Sequence, residues 1–139
     1  MRRAWRVPLF AVLLAVLLCA CGESNRNGQP PVLQGTWKQK DSSGAYYQYA
    51  VITDDTIEVY WHVNKDSSEY LYWSGSFTPP ADGREPYSWA SQNNYERAKT
   101  SQYARREETL TFTYKGGRIS YIQMQANIRI GVSMEKVED

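Results

Sequence analysis

Two cysteines and one histidine are the most reactive side chains of this 139-residue chain. Cys19 and Cys21 lie two residues apart, and His62 is far from both. Structural zinc usually takes four Cys or His ligands, more than these three residues supply. A thioredoxin-like redox pair requires Cys-x-x-Cys, whereas the spacing here is Cys-x-Cys inside an apolar run. The sequence therefore predicts no metal site and no cofactor.

The residues around the cysteines indicate protein export. Three arginines precede the run "VPLFAVLLAVLL", whose twelve uncharged residues are fewer than the about 20 that span a bilayer but suit the apolar core of a signal peptide. Residues 18–21, Leu-Cys-Ala-Cys, resemble the bacterial lipobox. The resemblance implies cleavage between Ala20 and Cys21, acylation of the Cys21 thiol, and anchorage on the extracytoplasmic face of the cell membrane.

The chain is accordingly divided into three parts. Residues 1–20 are predicted to be the lipoprotein signal peptide. Residues 21–34, a polar stretch with Gly, Asn and a Pro-Pro pair, are predicted to form a lipidated flexible tether. Residues 35–139 have the size of one single-core domain. Two or more acyl chains on Cys21 would hold it stably at the membrane, since each buried methylene contributes about 0.8 kcal/mol.

Charge argues against nucleic acid as a partner. Three of the 16 basic residues lie in the predicted signal, so the remainder has 13 basic and 15 acidic residues, a net charge of −2. The most basic run, "YERAKTSQYARREE", has glutamates among its four basic side chains, which is typical of a solvated helix or loop. Binding of nucleic acid would need a clustered basic face, and we expect none.

Alternating apolar residues predict strands in the domain. In "DTIEVYWHV" every second residue is apolar, and "EYLYWSGSF" repeats the alternation. A turn centred near Asp66 would join the two runs into a hairpin. The predicted pairs on its core face are Val59 with Trp73 and Trp61 with Leu71.

The other face of this hairpin carries the candidate binding residues. In the predicted register Tyr60 opposes Tyr72, and His62 opposes Tyr70. Tyr and Trp combine a large contact area with a polar tip, which suits binding surfaces. If this face lies outside the domain, it is a partner patch; if it lies inside, it lines a cavity.

A second hairpin is predicted at Gly116-Gly117, because two glycines accept the positive φ angles of a type I′ turn. Its predicted pairs are Tyr114 with Ile119 and Phe112 with Tyr121. A last strand, "IRIGVSMEKV", is predicted to turn four side chains inward: Ile128, Ile130, Val132 and Met134.

These elements predict an all-β fold. Eight short strands, a proline-rich loop at residues 78–86 and a short surface helix within residues 93–106 suit an eight-stranded antiparallel up-and-down barrel. "GTW" at the start of the first strand resembles the opening of lipocalins and avidins, the calycin-type barrels. The resemblance implies that Trp37 closes one end of the barrel, while the other end holds a small ligand. The later lipocalin Thr-Asp-Tyr segment and the biotin-binding tryptophans are absent from the sequence. The resemblance therefore predicts the barrel fold but not the identity of a ligand.

Catalysis is not predicted. A Ser-His-Asp site would have to use His62, but that residue sits in an alternating strand, where a cross-strand neighbour explains it. Glu58 lies on the same strand face and is a candidate ionic partner of His62. No phosphate-binding loop follows a strand into a helix.

Two function classes remain. The first is a non-enzymatic lipoprotein that binds a protein at the cell envelope. The run from "GTWKQ" to the carboxyl terminus resembles uncharacterised lipoproteins of actinobacteria and their phages, which implies superinfection exclusion as a process. The second is a carrier of an apolar or aromatic small molecule. Bulky inward side chains favour a filled interior, and hence the first class.

Overall fold

The computed structural model describes residues 28–42 and 44–138 of the chain. These residues form eight β-strands and one short helix. The strands are β1 Gly35–Gln39, β2 Tyr46–Ile52, β3 Thr56–Val63, β4 Ser68–Ser76, β5 Tyr87–Gln92, β6 Thr109–Lys115, β7 Arg118–Gln125 and β8 Ile128–Lys136. The helix is α1, Tyr95–Ala98.

The strands form a nearly closed antiparallel barrel. The order in the sheet is β4-β3-β2-β1-β8-β7-β6-β5. Strands that follow each other in sequence therefore pair, with the exception of β4 and β5, and β1 pairs with β8. The all-β prediction and the eight-stranded up-and-down barrel are therefore confirmed. The architecture is compatible with a lipocalin-like fold.

The barrel is incomplete at one seam, between β4 and β5. A single bridge, Gly75 to Asn93, joins the strands there, and Trp73 Nε1 donates a hydrogen bond to Ser91 Oγ at 2.9 Å. A Cβ on Gly75 would lie 2.4 Å from Ser91 Oγ and 2.7 Å from Trp73 Nε1. The close approach of the two strands therefore requires glycine at this position.

We call the two ends of the barrel the base and the mouth. The base carries the β2–β3 and β6–β7 turns and both ends of the described chain, whereas the mouth carries the β3–β4 and β7–β8 turns. Trp37 is 2% exposed near the base, where its Nε1 donates to Leu33 O at 2.8 Å. Buried apolar side chains fill the barrel around it, among them Phe112, Ile119 and Met134.

The segment before β1 packs against the base. Leu33 is 1% exposed and belongs to the core, and Lys136 Nζ donates to Val32 O at 2.9 Å. Gly83 N donates to Gly28 O at 3.2 Å. Packed structure thus begins ahead of residue 35. The predicted signal peptide and the predicted tether up to residue 27 lie outside the described residues, and the proposed division of the chain stays a prediction.

The Gly116-Gly117 hairpin is confirmed. Both glycines have positive φ, 57° and 76°, as a type I′ turn requires. The pairs are those predicted: Phe112 with Tyr121 and Tyr114 with Ile119. The loop at residues 78–86 and the short helix in the β5–β6 connection are also present.

The four side chains of β8 that were predicted to point inward differ in burial. Val132 and Met134 are buried, but Ile128 and Ile130 are 65% and 37% exposed. The alternation along the strand is as predicted, but the neighbouring strand β1 is too short to cover the first residues of β8. β1 ends at Gln39, which pairs with Met134, so the first residues of β8 extend past the end of β1 at the mouth.

Candidate binding site

A β-bulge separates the four predicted binding residues. The pairs between β3 and β4 are Val59 with Trp73, Tyr60 with Leu71, Trp61 with Tyr70 and His62 with Glu69. The register shifts after Val59 and leaves Tyr72 as the extra residue of β4. The pairing of Val59 with Trp73 is confirmed, whereas the predicted pairs Trp61–Leu71, Tyr60–Tyr72 and His62–Tyr70 are wrong. An extra residue changes the face on which every later side chain lies.

The predicted aromatic face is therefore two surfaces. Tyr72 is 4% exposed and, with Tyr70, borders the mouth of the barrel. Tyr60 and His62 lie on the outer wall, where they stack on tyrosines of β2.

The mouth contains a cleft of about 480 Å³. Trp61 is central to it, with its ring centroid 5.0 Å from Tyr46 and 6.2 Å from Tyr72, both in edge-to-face geometry. The volume lies within the range of small-molecule sites. We call this space the mouth cleft; its five aromatic residues are Tyr46, Trp61, Tyr70, Tyr72 and Tyr103.

The β5–β6 connection completes the cleft with Tyr103 and Arg105. Arg105 N donates to Tyr72 O at 2.8 Å, and its guanidinium donates to the Tyr72 hydroxyl at 3.0 Å. Arg105 also forms an ion pair with Glu107, whose hydrogen bonds raise the pKa of the guanidinium. Burial raises the pKa of the Tyr72 hydroxyl. Arg105 thus fixes the position of the Tyr72 ring, and Glu107 offsets the positive charge of Arg105.

A buried polar network lies at the bottom of the cleft. Gln48 Nε2 donates to Gln123 Oε1 at 3.1 Å, and the Tyr121 hydroxyl donates to Gln48 Oε1. The three side chains are at most 5% exposed, and Gln123 lines the cleft. Buried polar groups are stable when they are paired in this way. The interior is thus filled towards the base, as the sequence favoured, but open at the mouth.

Stacked rings cover part of the outer wall. Tyr47 stacks on His62 with centroids 4.7 Å apart, and Tyr49 stacks on Tyr60 at 5.2 Å. Lys38 Nζ lies 4.1 Å from the centroid of Tyr47, within the range of a cation–π interaction. We call Tyr47, Tyr49, Tyr60 and His62 the outer aromatic ladder.

The ionic partner predicted for His62 is wrong. His62 Nδ1 lies 3.3 Å from Glu69 Oε1 across the hairpin. Glu58 instead accepts hydrogen bonds from Arg97 Nε at 2.9 Å, from Ser74 Oγ at 3.0 Å and from the Tyr60 hydroxyl. Burial acts to raise the pKa of Glu58, but these hydrogen bonds outweigh it and lower the pKa below its usual value.

The described residues contain neither a cluster of metal ligands nor a helix that could span a membrane. Within residues 28–42 and 44–138, no three His, Cys, Asp or Glu side chains cluster as metal ligands. In the same part of the chain no helix has both the length and the apolar character to cross a bilayer. Ala20 and Cys21, the predicted cleavage and lipidation residues, lie outside it, and their roles stay predictions.

Comparison of the chain with known family models, with curated proteins and with solved structures finds no match. Sequence reasoning identified Tyr70 and Tyr72 but missed Tyr46, Tyr103 and Arg105 as members of the cleft. The alternation in β3 did place Trp61 inward, and this was the available signal for the mouth.

Proposed function

We propose that the protein binds a small molecule with an aromatic or apolar part in the mouth cleft. The observation that carries the proposal is a cleft of about 480 Å³ lined by five aromatic residues. Aromatic rings supply large apolar contact area in fixed positions, and a few polar groups beside them orient a ligand. Here those polar groups are Gln123, Gln125 and Arg105.

Electrostatics favours an uncharged aromatic part. Arg105, the cationic side chain of the cleft lining, is paired with Glu107. A ligand carboxylate would compete with Glu107 for the guanidinium and lose its own hydration. An uncharged ring meets no such cost.

A fluorescence titration tests this proposal. N-phenyl-1-naphthylamine, a neutral aromatic dye, is expected to brighten on binding to the full chain. Trp61→Ala should weaken this binding at least tenfold, because the central ring of the cleft is removed. Ile122→Ala is the matched control, since Ile122 is 42% exposed and lies outside the cleft. Equal affinities of the two variants, or no binding to the unchanged chain, would contradict the proposal.

The outer aromatic ladder supports a second candidate, the binding of a protein at the cell envelope. Tyrosine is enriched at protein interfaces, and the four rings together with Lys38 form one surface on the outer wall of the barrel. A photo-crosslinking residue at Tyr47 should capture one discrete envelope protein, while the same residue at Ile122 should not. Capture from both positions, or from neither, would argue against this role.

We further propose that the protein acts as a lipoprotein on the extracytoplasmic face of the membrane, anchored through Cys21. The lipobox residues that end at Cys21 support this. The full chain expressed in a bacterium should give a membrane-bound species with the mass of residues 21–139 plus acyl chains. Cys21→Ser should remain uncut and unacylated; a cleaved, membrane-bound form of this variant would refute the anchor.

Superinfection exclusion is the process implied by the resemblance to phage lipoproteins. An infecting phage should then form fewer plaques on cells that express the chain than on cells that express Cys21→Ser. Equal plaque counts across a phage panel would remove this role and leave ligand binding unaffected.

A further inference from the structure

Two tyrosines form a ridge between two concave spaces. Tyr70 and Tyr103 are in edge-to-face contact with centroids 4.7 Å apart, and they are 38% and 51% exposed. Both line the mouth cleft on one side. Both also line a second space of about 400 Å³ on the outer side of the wall, which we call the outer pocket. One molecule can therefore contact both spaces across this ridge.

The two spaces differ in chemistry. The lining of the mouth cleft is mostly apolar and aromatic. The lining of the outer pocket is more polar and includes Thr100, Ser101, Gln102, Glu69 and Arg97. A ligand that fits both would be apolar at one end and rich in hydrogen-bonding groups at the other.

The charges of the outer pocket favour a neutral polar group. Its two charged side chains, Glu69 and Arg97, have opposite signs. Arg97 is paired with Glu58 through Nε at 2.9 Å, and it donates to the Tyr60 hydroxyl at 3.1 Å. These bonds use two of the five N–H donors of a guanidinium and fix its plane. An anion would meet a cation that is already paired, whereas hydroxyl or amide groups can bond to both charged side chains.

We infer that the ligand is an amphipathic molecule that spans the ridge, with its aromatic part in the mouth cleft and an uncharged, hydroxyl-rich part in the outer pocket. Aromatic glycosides have this chemistry. The inference rests on the proposed function, because it places the aromatic part in the same cleft. It adds the class of ligand and a second set of contacts.

The test compares an aromatic compound with its own glycoside. Binding of 4-methylumbelliferone and of 4-methylumbelliferyl cellobioside to the full chain is measured by calorimetry. The glycoside should bind at least fivefold more tightly, because it adds hydrogen bonds in the outer pocket. Gln102→Ala should reduce that gain while leaving the affinity for 4-methylumbelliferone unchanged. Lys99→Ala, which changes the same connection outside both spaces, should change neither value.

The outcomes separate this inference from the proposed function. Equal affinity for the two compounds would overturn the bipartite site and leave the mouth cleft in place. A gain that survives Gln102→Ala and a second variant, Thr100→Val, would overturn the assignment of the outer pocket. Failure of both compounds to bind would count against the mouth cleft itself, and the inference would fall with it.

Discussion

The base and the mouth of this barrel are made from similar residues but are packed differently. At the base, Trp37 and Phe112 are at most 2% exposed among apolar neighbours. At the mouth, Trp61 remains partly accessible, and Tyr46 is 40% exposed. Both ends are rich in aromatic rings, so composition does not distinguish a core from a binding site. The difference is whether neighbouring strands extend far enough to cover the rings.

The largest expected effect separates stability at the base from binding at the mouth. Trp37→Ala should lower the free energy of unfolding by about 3–5 kcal/mol, because it opens a cavity in a packed core. Trp61→Ala should cost only about 1–2 kcal/mol, since a partly exposed ring contributes less on burial. Urea unfolding followed by circular dichroism measures both. Equal losses would mean that the mouth is as much a core as the base.

The seam provides the next test. Gly75→Ala should destabilise the barrel by about 1–3 kcal/mol, because the new methyl group would overlap Ser91 and Trp73. Gly131→Ala is the matched control: Gly131 is in β8, has no positive φ, and an added Cβ would meet no atom within 4 Å. The two variants are compared by thermal unfolding. If Gly75→Ala is as stable as the control, β4 and β5 are free to separate.

Substitutions in the turns at the two ends should change stability in opposite directions. Gly117→Val should cost about 1–3 kcal/mol, since a β-branched residue is strained at a φ of 76°. An added Cβ there meets no neighbour, so the cost is conformational, and Gly131→Val should not show it.

At the mouth, Ala126 already has a φ of 45°. Ala126→Gly should therefore leave stability unchanged or raise it by up to about 1 kcal/mol. Chemical denaturation of Gly117→Val, Gly131→Val and Ala126→Gly measures these differences in stability. A loss of stability in Ala126→Gly would show that the β7–β8 turn is not strained.

The smallest effect concerns the ion pair that joins α1 to the barrel wall. The pKa of Glu58 is lower in the folded state than its usual value: burial acts to raise it, but hydrogen bonds from Arg97, Tyr60 and Ser74 outweigh burial. The stabilisation is therefore complete above the ordinary carboxyl pKa and is lost as the pH falls through the folded-state pKa.

Between about pH 5 and pH 3, the unchanged chain should lose up to about 1 kcal/mol more than Glu58→Gln, because the pair is partly exposed and solvent screens it. Unfolding at a series of pH values measures this difference. A parallel decline in the two proteins would exclude Glu58 as a source of acid sensitivity.

The sequence predicted the elements better than their details. The pair Gly116-Gly117 determined both a turn and a register, since few residues accept two positive φ angles. The bulge at Tyr72 had no such signal. All four residues of "YLYW" are large, so both faces of the strand look alike, and a shift of the register by one residue fits the sequence equally well. Ile128 and Ile130 follow the alternation but lie beyond the end of β1, which the spacing within one strand does not reveal. Tyr103 and Arg105 reach the mouth from a polar connection through long-range contacts.

The attachment of the first described residues at the base limits how an anchored barrel can turn. If Cys21 carries the lipid, six residues of chain separate it from Gly28, whose carbonyl accepts a hydrogen bond from Gly83 N. The seven steps from Cys21 to Gly28 reach about 25 Å when the chain is fully extended. A nine-residue strand such as β8 has a similar length of about 26–30 Å. The chain between Cys21 and Gly28 is thus no longer than the barrel. The mouth could face the lipid only if this segment were fully extended along the barrel. An anchored barrel would therefore draw its ligand from the aqueous side.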